Sequence, residues 1–176
     1  MRQLIESDAS LELIWRAYEL RPEPVPMIDP NSDYLRRVWI DSVAPLAGRL
    51  GVTMRFPPVK PRTRLAHEAA HWARAQGRFD DYHDEIFRAF FERGEDIGEV
   101  DVLIALAQKF ELDSGSLRQA LTSHEFAASV IADEQEAARL GVSGVPAFIA
   151  NRKAALSGVQ PVENLRKLIE SVRGAG

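Results

Sequence analysis

The segment His67-Glu-Ala-Ala-His71 has the spacing of the H-E-x-x-H motif of zinc proteases. On a helix the two imidazoles would lie one turn apart, with Glu68 beside them as a general base. The longer form of the motif needs a glycine and a third histidine further on, in the stretch that holds Arg74 and Gln76. Because the short motif often occurs by chance and its neighbours are mostly alanine, we predict a helix packed in a bundle and no bound metal.

The other candidates for chemistry have simpler explanations. Asp80, Asp81, Asp84 and Glu85 cluster at the predicted start of a helix, where carboxylates favour the helix dipole; an acidic patch for a cation is the alternative. His124 fits a loop or helix-cap position. There is no Gly-x-Ser-x-Gly elbow, no Gly-x-Gly-x-x-Gly segment and no P-loop in the sequence, so neither a serine hydrolase nor nucleotide binding is predicted.

The chain of 176 residues contains no cysteine. This excludes disulfides, thiolate nucleophiles and cysteine metal sites built from these residues alone. The net charge is −4, with 22 basic and 26 acidic residues, which argues against nucleic-acid binding. We also expect no membrane partner and a cytoplasmic location, because no apolar run is long enough to span a bilayer and the first residues are too polar for a secretory signal.

The stretch Gly141-Val-Ser-Gly-Val-Pro-Ala-Phe-Ile149 joins a helix pattern to a short apolar run. Gly141 is predicted to end the helix in the left-handed conformation, and residues 147–150 read as a buried strand. A proline at the entrance of a strand gives up one ladder hydrogen bond. The Val145–Pro146 bond is either an ordinary trans peptide, as most X-Pro bonds are, or a cis peptide that leaves the backbone of Val145 unpaired.

The remaining pattern predicts the elements that position this stretch. Residues 1–8 resemble the end of a helix, and residues 11–20 read as a strand. A helix capped at Asn31 or Ser32 and disturbed by Pro45 follows. Helices then fill residues 62–140, before a hairpin at 147–157 and a last helix from Pro161 to about Val172. Phe87, Phe90 and Phe91 have helical spacing and are predicted to lie in the core.

Four stretches, taken in this order, resemble the DsbA family of thioredoxin-fold proteins, in the branch of FrnE-like oxidoreductases and 2-hydroxychromene-2-carboxylate isomerases. They are residues 15–22, 61–67, 140–148 and 156–161. The resemblance implies an α/β fold of α+β character: a thioredoxin-like sheet with an inserted helical subdomain. It divides the chain into residues 1–61 and 126–176, which form the thioredoxin-like part, and residues 62–125, which form the insertion.

In such proteins the proline of Gly-Val-Pro is cis, and the backbone of the preceding residue pairs with a substrate. The resemblance therefore assigns substrate binding to Gly144, Val145 and Pro146, with Gly144 shaping the loop. It implies as partner a peptide or protein thiol, or glutathione, at the cis-proline groove. It implies no cofactor other than glutathione.

The sequence departs from the family where the catalytic residues are expected. The family begins with a strand and a Cys-x-x-Cys at the start of the first helix, where the helix dipole lowers the pKa of the attacking thiol. Residues 1–8 match only the end of that helix, so we expect the strand and the motif to be absent, as in a truncated form or one with a misplaced start codon. As written, the chain cannot perform thiol–disulfide exchange.

Without that strand the thioredoxin-like sheet is incomplete, and two interior strand edges are left exposed. We expect one of three outcomes: the strands around Leu13 and Phe148 pair directly, another chain fills the gap in a homo-oligomer, or the region distorts. The leading functional hypothesis is a DsbA-family, FrnE-like thiol–disulfide oxidoreductase without its redox-active cysteines. The alternatives are a non-catalytic thioredoxin-fold module that binds a peptide or partner, and a relative of the glutathione-dependent isomerases.

Overall fold

The computed structural model describes residues 2–173, with side chains described from residue 4. Helical segments dominate the described chain, and a single antiparallel hairpin forms its sheet. The elements are α1 (Arg2–Glu6), α2 (Asp33–Val38), a π-helical turn (Trp39–Val43), α3 (Ala44–Leu50), α4 (Arg64–Ala75), α5 (Phe79–Arg88), a second π-helical turn (Ala89–Arg93), α6 (Val100–Gln108), α7 (Ser114–Thr122), α8 (Ala127–Arg139), β1 (Ala147–Ala150), β2 (Ala154–Ser157) and α9 (Val162–Arg173). Between residues 2 and 173 no helix is long and apolar enough to cross a membrane.

The chain forms two compact units. One consists of residues 21–131, and the other of the described residues within 1–20 and 132–176. Helix α8 begins in the first unit and ends in the second. The larger unit is helical, whereas the smaller one contains the hairpin.

The larger unit is built around the apolar faces of α4, α5, α6 and α7. Alanines on α4 allow close packing, and Tyr82 on α5 is fully buried, with its hydroxyl donating to the carbonyl of Leu103 at 2.8 Å. The central buried residues are Ala69, Trp72, Ala73, Tyr82, Leu103, Leu106, Leu117 and Leu121. The predicted helical bundle around the H-E-x-x-H segment is therefore confirmed.

Local signals set several helix ends. The Oγ of Ser32 accepts a hydrogen bond from the Leu35 amide at 3.4 Å, as expected of a capping serine. The carboxylate of Asp113 accepts from the amides of Gly115 and Ser116 at the start of α7. The predicted disturbance at Pro45 is also present, because the helix from Asp33 to Leu50 passes through a π-helical turn immediately before Pro45.

The predicted aromatic core is only partly correct. Phe90 packs against the core of the larger unit, but the side chain of Phe87 is 49% exposed. Phe87 instead stacks on Phe91, with ring centroids 6.0 Å apart, and contacts His83 edge-on at 4.8 Å. Residues four positions apart lie on one helix face, so these rings follow a single side of the helix.

The hairpin in the smaller unit agrees with the prediction. In the antiparallel register, Phe148 lies opposite Leu156 and Ile149 opposite Ala155. The turn places Asn151 and Arg152 at φ 49° and 57°, which is the conformation that a type I′ turn requires at both central residues. Helix α9 packs against both strands.

The prediction of a strand from Leu11 to Leu20 is wrong. No residue of this segment belongs to the sheet of the described chain, which contains only β1 and β2. Instead, the amide of Ala17 donates to Oδ2 of Asp133 at 2.9 Å, and the amide of Glu19 donates to Oε1 of Glu134 at 3.2 Å. Side chains of α8 thus take backbone hydrogen bonds that a neighbouring strand would take, and the strands predicted around Leu13 and Phe148 do not pair.

Candidate substrate-binding site

A tight helix terminus leads into the candidate site. The amide of Gly141 donates to the carbonyl of Ala138 at 3.1 Å, and the amide of Val142 donates to the carbonyl of Ala137 at 2.9 Å. Gly141 has φ 73°. These are the two bonds and the left-handed residue of a Schellman motif, so the sequence pattern itself ends α8 and sets the direction of the following loop.

Pro146 is anchored to the second strand of the hairpin. The Val145–Pro146 peptide is cis, and the carbonyl of Pro146 accepts a hydrogen bond from the Gly158 amide at 2.8 Å. Gly158 has φ 77°, which places it in the left-handed region. The proline therefore occupies the first position of the β1–β2 ladder, where its missing N–H faces β2.

This anchoring determines which backbone groups remain unpaired. In an antiparallel ladder, hydrogen-bonded pairs alternate with pairs that exchange no hydrogen bond. Because Pro146 bonds to Gly158, the next bonded pairs are Phe148 with Leu156 and Ala150 with Ala154. The amides and carbonyls of Ala147 and Ile149 consequently point away from β2.

Val145 continues this unpaired edge. Its side chain is 48% exposed, and its amide and carbonyl form no backbone hydrogen bond with any described residue. Gly144 precedes it in a non-helical conformation outside the left-handed region, and a Cβ built on Gly144 would meet no atom within 4 Å. Nothing in the described chain therefore requires glycine at this position.

The Glu68 side chain of the H-E-x-x-H segment is buried in the helical unit and contacts a histidine outside the motif. Glu68 is 1% exposed, and its Oε1 lies 3.2 Å from Nδ1 of His124, which is not part of the motif. Among residues 4–173, no three His, Asp or Glu side chains are grouped as ligands for a metal ion. His83 packs between the rings of Phe79 and Phe87, and its burial lowers the pKa of the imidazole to about 4.

The acidic cluster after Arg78 serves helix α5. Asp80 and Asp81 lie in its first turn, as predicted, and Asp81 pairs with Arg78 at 3.0 Å. Glu85 accepts a hydrogen bond from Lys109 at 2.7 Å and forms an ion pair with Arg93, whose Nη2 lies 2.9 Å from Oε1. Burial opposes ionisation of Glu85, but the Lys109 hydrogen bond and the Arg93 charge outweigh it and hold the pKa of this carboxyl below its usual value.

Asp133, a buried carboxylate of the smaller unit, was not predicted from the sequence. Asp133 is 4% exposed; it accepts from Nη1 of Arg16 at 2.8 Å and from the Ala17 amide. Its sequence context, Ala-Asp-Glu-Gln-Glu in mid-helix, is typical of a solvated helix face. No local signal distinguishes Asp133 from its acidic neighbours, because its partners lie more than a hundred residues away.

Comparisons with known proteins agree with this architecture. Residues 1–170 match the DSBA-like thioredoxin domain. The Bacillus subtilis protein named "Uncharacterized protein YwbO" is 37% identical over 119 residues, which are 66% of this chain and 60% of that protein. The chain thus spans about three fifths of the length of this curated relative.

Two solved structures are similar to the chain. The probable DsbA oxidoreductase SCO1869 from Streptomyces coelicolor has a TM-score of 0.74 at 26% identity, over 90% of this chain and 74% of that one. A 2-hydroxychromene-2-carboxylate isomerase has a TM-score of 0.70 at 16% identity, over 99% of this chain and 85% of that one. The predicted thioredoxin-like fold of DsbA type is confirmed, in a helix-rich form with a two-stranded sheet.

Proposed function

Because the chain belongs to the DSBA-like thioredoxin domain family, we propose that it serves a FrnE-like thiol–disulfide oxidoreductase as the part that binds the substrate's backbone. The binding residues are Gly144, Val145 and Pro146. The unpaired backbone of Val145 carries this proposal. An extended polypeptide that lies beside Val145 gains one donor and one acceptor without breaking a bond within the chain.

Two neighbouring features favour an extended ligand at this position. The hydrogen bond between Pro146 and Gly158 holds the segment against β2, so the amide and carbonyl of Val145 are held in place before a ligand arrives. A Cβ built on Gly144 would meet no atom within 4 Å, so another backbone has room to approach at this position.

The covalent chemistry of exchange needs a thiolate that these residues do not supply. All 176 positions are occupied by residues other than cysteine, so the chain binds and orients the substrate and forms no mixed disulfide itself. The similarity to the probable DsbA oxidoreductase of Streptomyces coelicolor favours exchange as the reaction that this surface serves. A Cys-x-x-Cys pair encoded in frame upstream of Met1 would further favour thiol–disulfide exchange.

The second candidate is a non-catalytic thioredoxin-fold module that binds a peptide or partner. The absence of cysteine favours it, since such a module needs the binding surface alone. A third candidate, kinship with glutathione-dependent isomerases, predicts glutathione at the same segment.

Binding is tested with a fluorescein-labelled extended peptide that carries a central cysteine, measured by fluorescence anisotropy. The Val145→Pro variant removes the unpaired amide, whereas the matched Val145→Ala variant keeps it. We expect the unaltered protein and Val145→Ala to bind, and Val145→Pro to bind at least about tenfold more weakly, as the loss of about 1.4 kcal/mol implies. Equal binding by all three proteins, or none by the unaltered protein, contradicts the proposal. Displacement of the peptide by micromolar reduced glutathione favours the isomerase-like alternative.

A further inference from the structure

A carboxylate on helix α8 joins that helix to the turn of the hairpin. Oε1 of Glu136 accepts a hydrogen bond from Nε of Arg152, in the turn, at 2.6 Å. Oε2 of Glu136 accepts from Nη2 of Arg139 at 2.9 Å, so both oxygens are paired. These two hydrogen bonds, that from Arg139 foremost, hold the pKa of the Glu136 carboxyl below its usual value. The ion pair between Glu136 and Arg152 is therefore formed at neutral pH.

Arg152 occupies a turn position that favours glycine. It is the second of the two left-handed residues of the turn, with φ 57°, and Asn-Gly is the usual pair at these two positions. Asn151 follows this preference, whereas an arginine in the left-handed region strains its backbone. The turn itself would form more easily with glycine at position 152. The hydrogen bond to Glu136 supplies what glycine lacks, which is a link between the turn and α8.

The residues that this link joins lie on either side of the candidate binding segment. Glu136 and Arg152 are 16 positions apart, and residues 144–146 lie between them. One end of the intervening loop is fixed to α8 by the Schellman bonds, and the other is fixed to β2 by the carbonyl of Pro146. Because the glycines of the loop restrain its backbone little, the direction of the chain at Val145 depends on how the hairpin is held against α8.

We propose that Arg152 is a positioning residue, which holds the hairpin against α8 through Glu136 and thereby fixes residues 144–146 in the conformation that binds the substrate. It acts through the loop and does not itself touch the substrate. The inference rests on the proposed function, because it assigns Arg152 a part in the same binding site. The side chain of Arg152 is 70% exposed, and a pair this exposed adds little to global stability. Its loss should therefore change the order of the loop and the affinity for the substrate more than the stability of the fold.

The order of the loop is measured by NMR relaxation of the Gly144 and Val145 amides, in the full chain without a ligand. Arg152→Gly removes the link and relieves the strain of the turn, whereas Arg152→Lys keeps a positive charge that can reach Glu136. Lys153→Ala is the matched control, because it removes a charge from the same turn and leaves the link intact. We expect order parameters of about 0.85 in the unaltered protein and the control, and below about 0.6 in Arg152→Gly, with Arg152→Lys between them. Unchanged order parameters in Arg152→Gly overturn the proposal.

The effect on binding is measured by fluorescence anisotropy with an extended cysteine-containing peptide that has no charged residue, capped ends and an uncharged dye. We expect Arg152→Gly to bind about threefold more weakly than the unaltered protein, Arg152→Lys to recover part of the affinity, and Lys153→Ala to bind normally. The urea midpoint of Arg152→Gly should stay unchanged or rise, since glycine relieves the strain. An equal loss of affinity in Lys153→Ala, or a fall in the urea midpoint of Arg152→Gly that accounts for its weaker binding, overturns the proposal.

The two measurements separate the positioning role from the proposed function. If the unaltered protein binds no peptide, the proposed function fails, and the NMR relaxation of the loop alone decides whether Arg152 fixes the segment. If the unaltered protein and Arg152→Gly bind the peptide equally, the proposed function stands and the positioning role fails.

Discussion

Oε1 of the buried residue Glu68 lies 3.2 Å from Nδ1 of His124, which ends helix α7 in a left-handed conformation. His124 has φ 53° at the end of the helix, where glycine is usual. The backbone of any other residue is strained in this left-handed conformation. The amide of Glu125 donates to the carbonyl of Ala120 at 3.0 Å and closes the helix end. The contact with Glu68 gives a physical reason for histidine at this strained position.

The contact between Glu68 and His124 predicts that His124→Gly changes the stability of the protein in opposite directions when Glu68 is present and when it is replaced. His124→Gly relieves the strain but leaves the carboxylate of Glu68 buried with neither oxygen paired among the described residues, since Oε2 has no partner even with His124 present. We expect a net destabilisation of about 1 kcal/mol, because an unpaired buried acceptor costs more than the strain. In an E68L background the same change should stabilise the protein by about 0.5 kcal/mol. Urea unfolding of the four proteins measures both values, and an equal effect in the two backgrounds would show that the contact contributes nothing.

Gly94 and Gly51 provide a matched pair of left-handed helix ends. Their φ values are 73° and 64°, but only at Gly94 would a Cβ collide with a neighbour, at 2.9 Å from Cδ of Pro58. Both alanine variants pay the left-handed cost of about 1–2 kcal/mol. We expect Gly94→Ala to lose a further 1–3 kcal/mol, roughly, through overpacking against a rigid ring. Thermal unfolding compares the two variants. An equal decrease in Tm would mean that the segment at Pro58 moves to accommodate the new Cβ without loss of stability.

Elements whose signals are local agree with the sequence analysis. Ser32 caps α2, Gly141 ends α8, and residues 151–153 turn the hairpin, because each uses the chemistry of adjacent residues. Thr63 is the exception, although threonine is a common helix-capping residue. It stands at the N-cap of α4, yet its side chain makes no capping hydrogen bond.

Elements that depend on distant partners could not be predicted in this way. Residues 11–20 have the partial alternation of a strand, but the carboxylates of Asp133 and Glu134 take the amides of Ala17 and Glu19. The contact between Glu68 and His124 joins residues 56 positions apart, and nothing near the H-E-x-x-H segment points to His124. The binding role of Val145 follows from the family resemblance, because the residues near it carry no signal for a substrate.

The two carboxylates that hold residues 16–19 should differ in importance. Asp133 is buried and accepts from both Arg16 and the Ala17 amide, whereas Glu134 is partly exposed and its bond from the Glu19 amide is longer. We expect Asp133→Ala to destabilise the protein by about 2–3 kcal/mol, because it removes the acceptor of the buried Ala17 amide and of the charged Arg16 side chain. For Glu134→Ala we expect a destabilisation of about 0.5–1 kcal/mol. Amide hydrogen exchange localises the effect. Unchanged protection of the Ala17 amide in Asp133→Ala would contradict this account.

His83 makes stability depend on pH. Its ring stacks on Phe79 at a centroid distance of 4.7 Å and meets Phe87 edge-on. Burial is the main cause of its lowered pKa, and the positive charge of Arg74 and the proximity of His67 add to it, while Asp84 and Asp80 act in the opposite direction. The folded pKa of about 4 lies below the unfolded value of 6.5, so folding favours the neutral imidazole.

The sign of the effect follows from this order of pKa values. Above about pH 6.5 the imidazole is neutral in both states, and the contribution of His83 to stability is fully present. As the pH falls from about 6.5 to about 4, the unfolded chain binds a proton that the folded protein does not, and the free energy of unfolding decreases by about 2–3 kcal/mol.

His83→Phe keeps an aromatic ring in the stack and removes the titration, so its unfolding free energy should fall less over this range than that of the unaltered protein. Carboxylates also titrate there, but they are common to both proteins, and the difference between the two curves isolates His83. Parallel curves from pH 7.5 to pH 4.5 would show that His83 titrates alike in the folded and unfolded states, and a proton NMR titration of its ring would then give a pKa near 6.5.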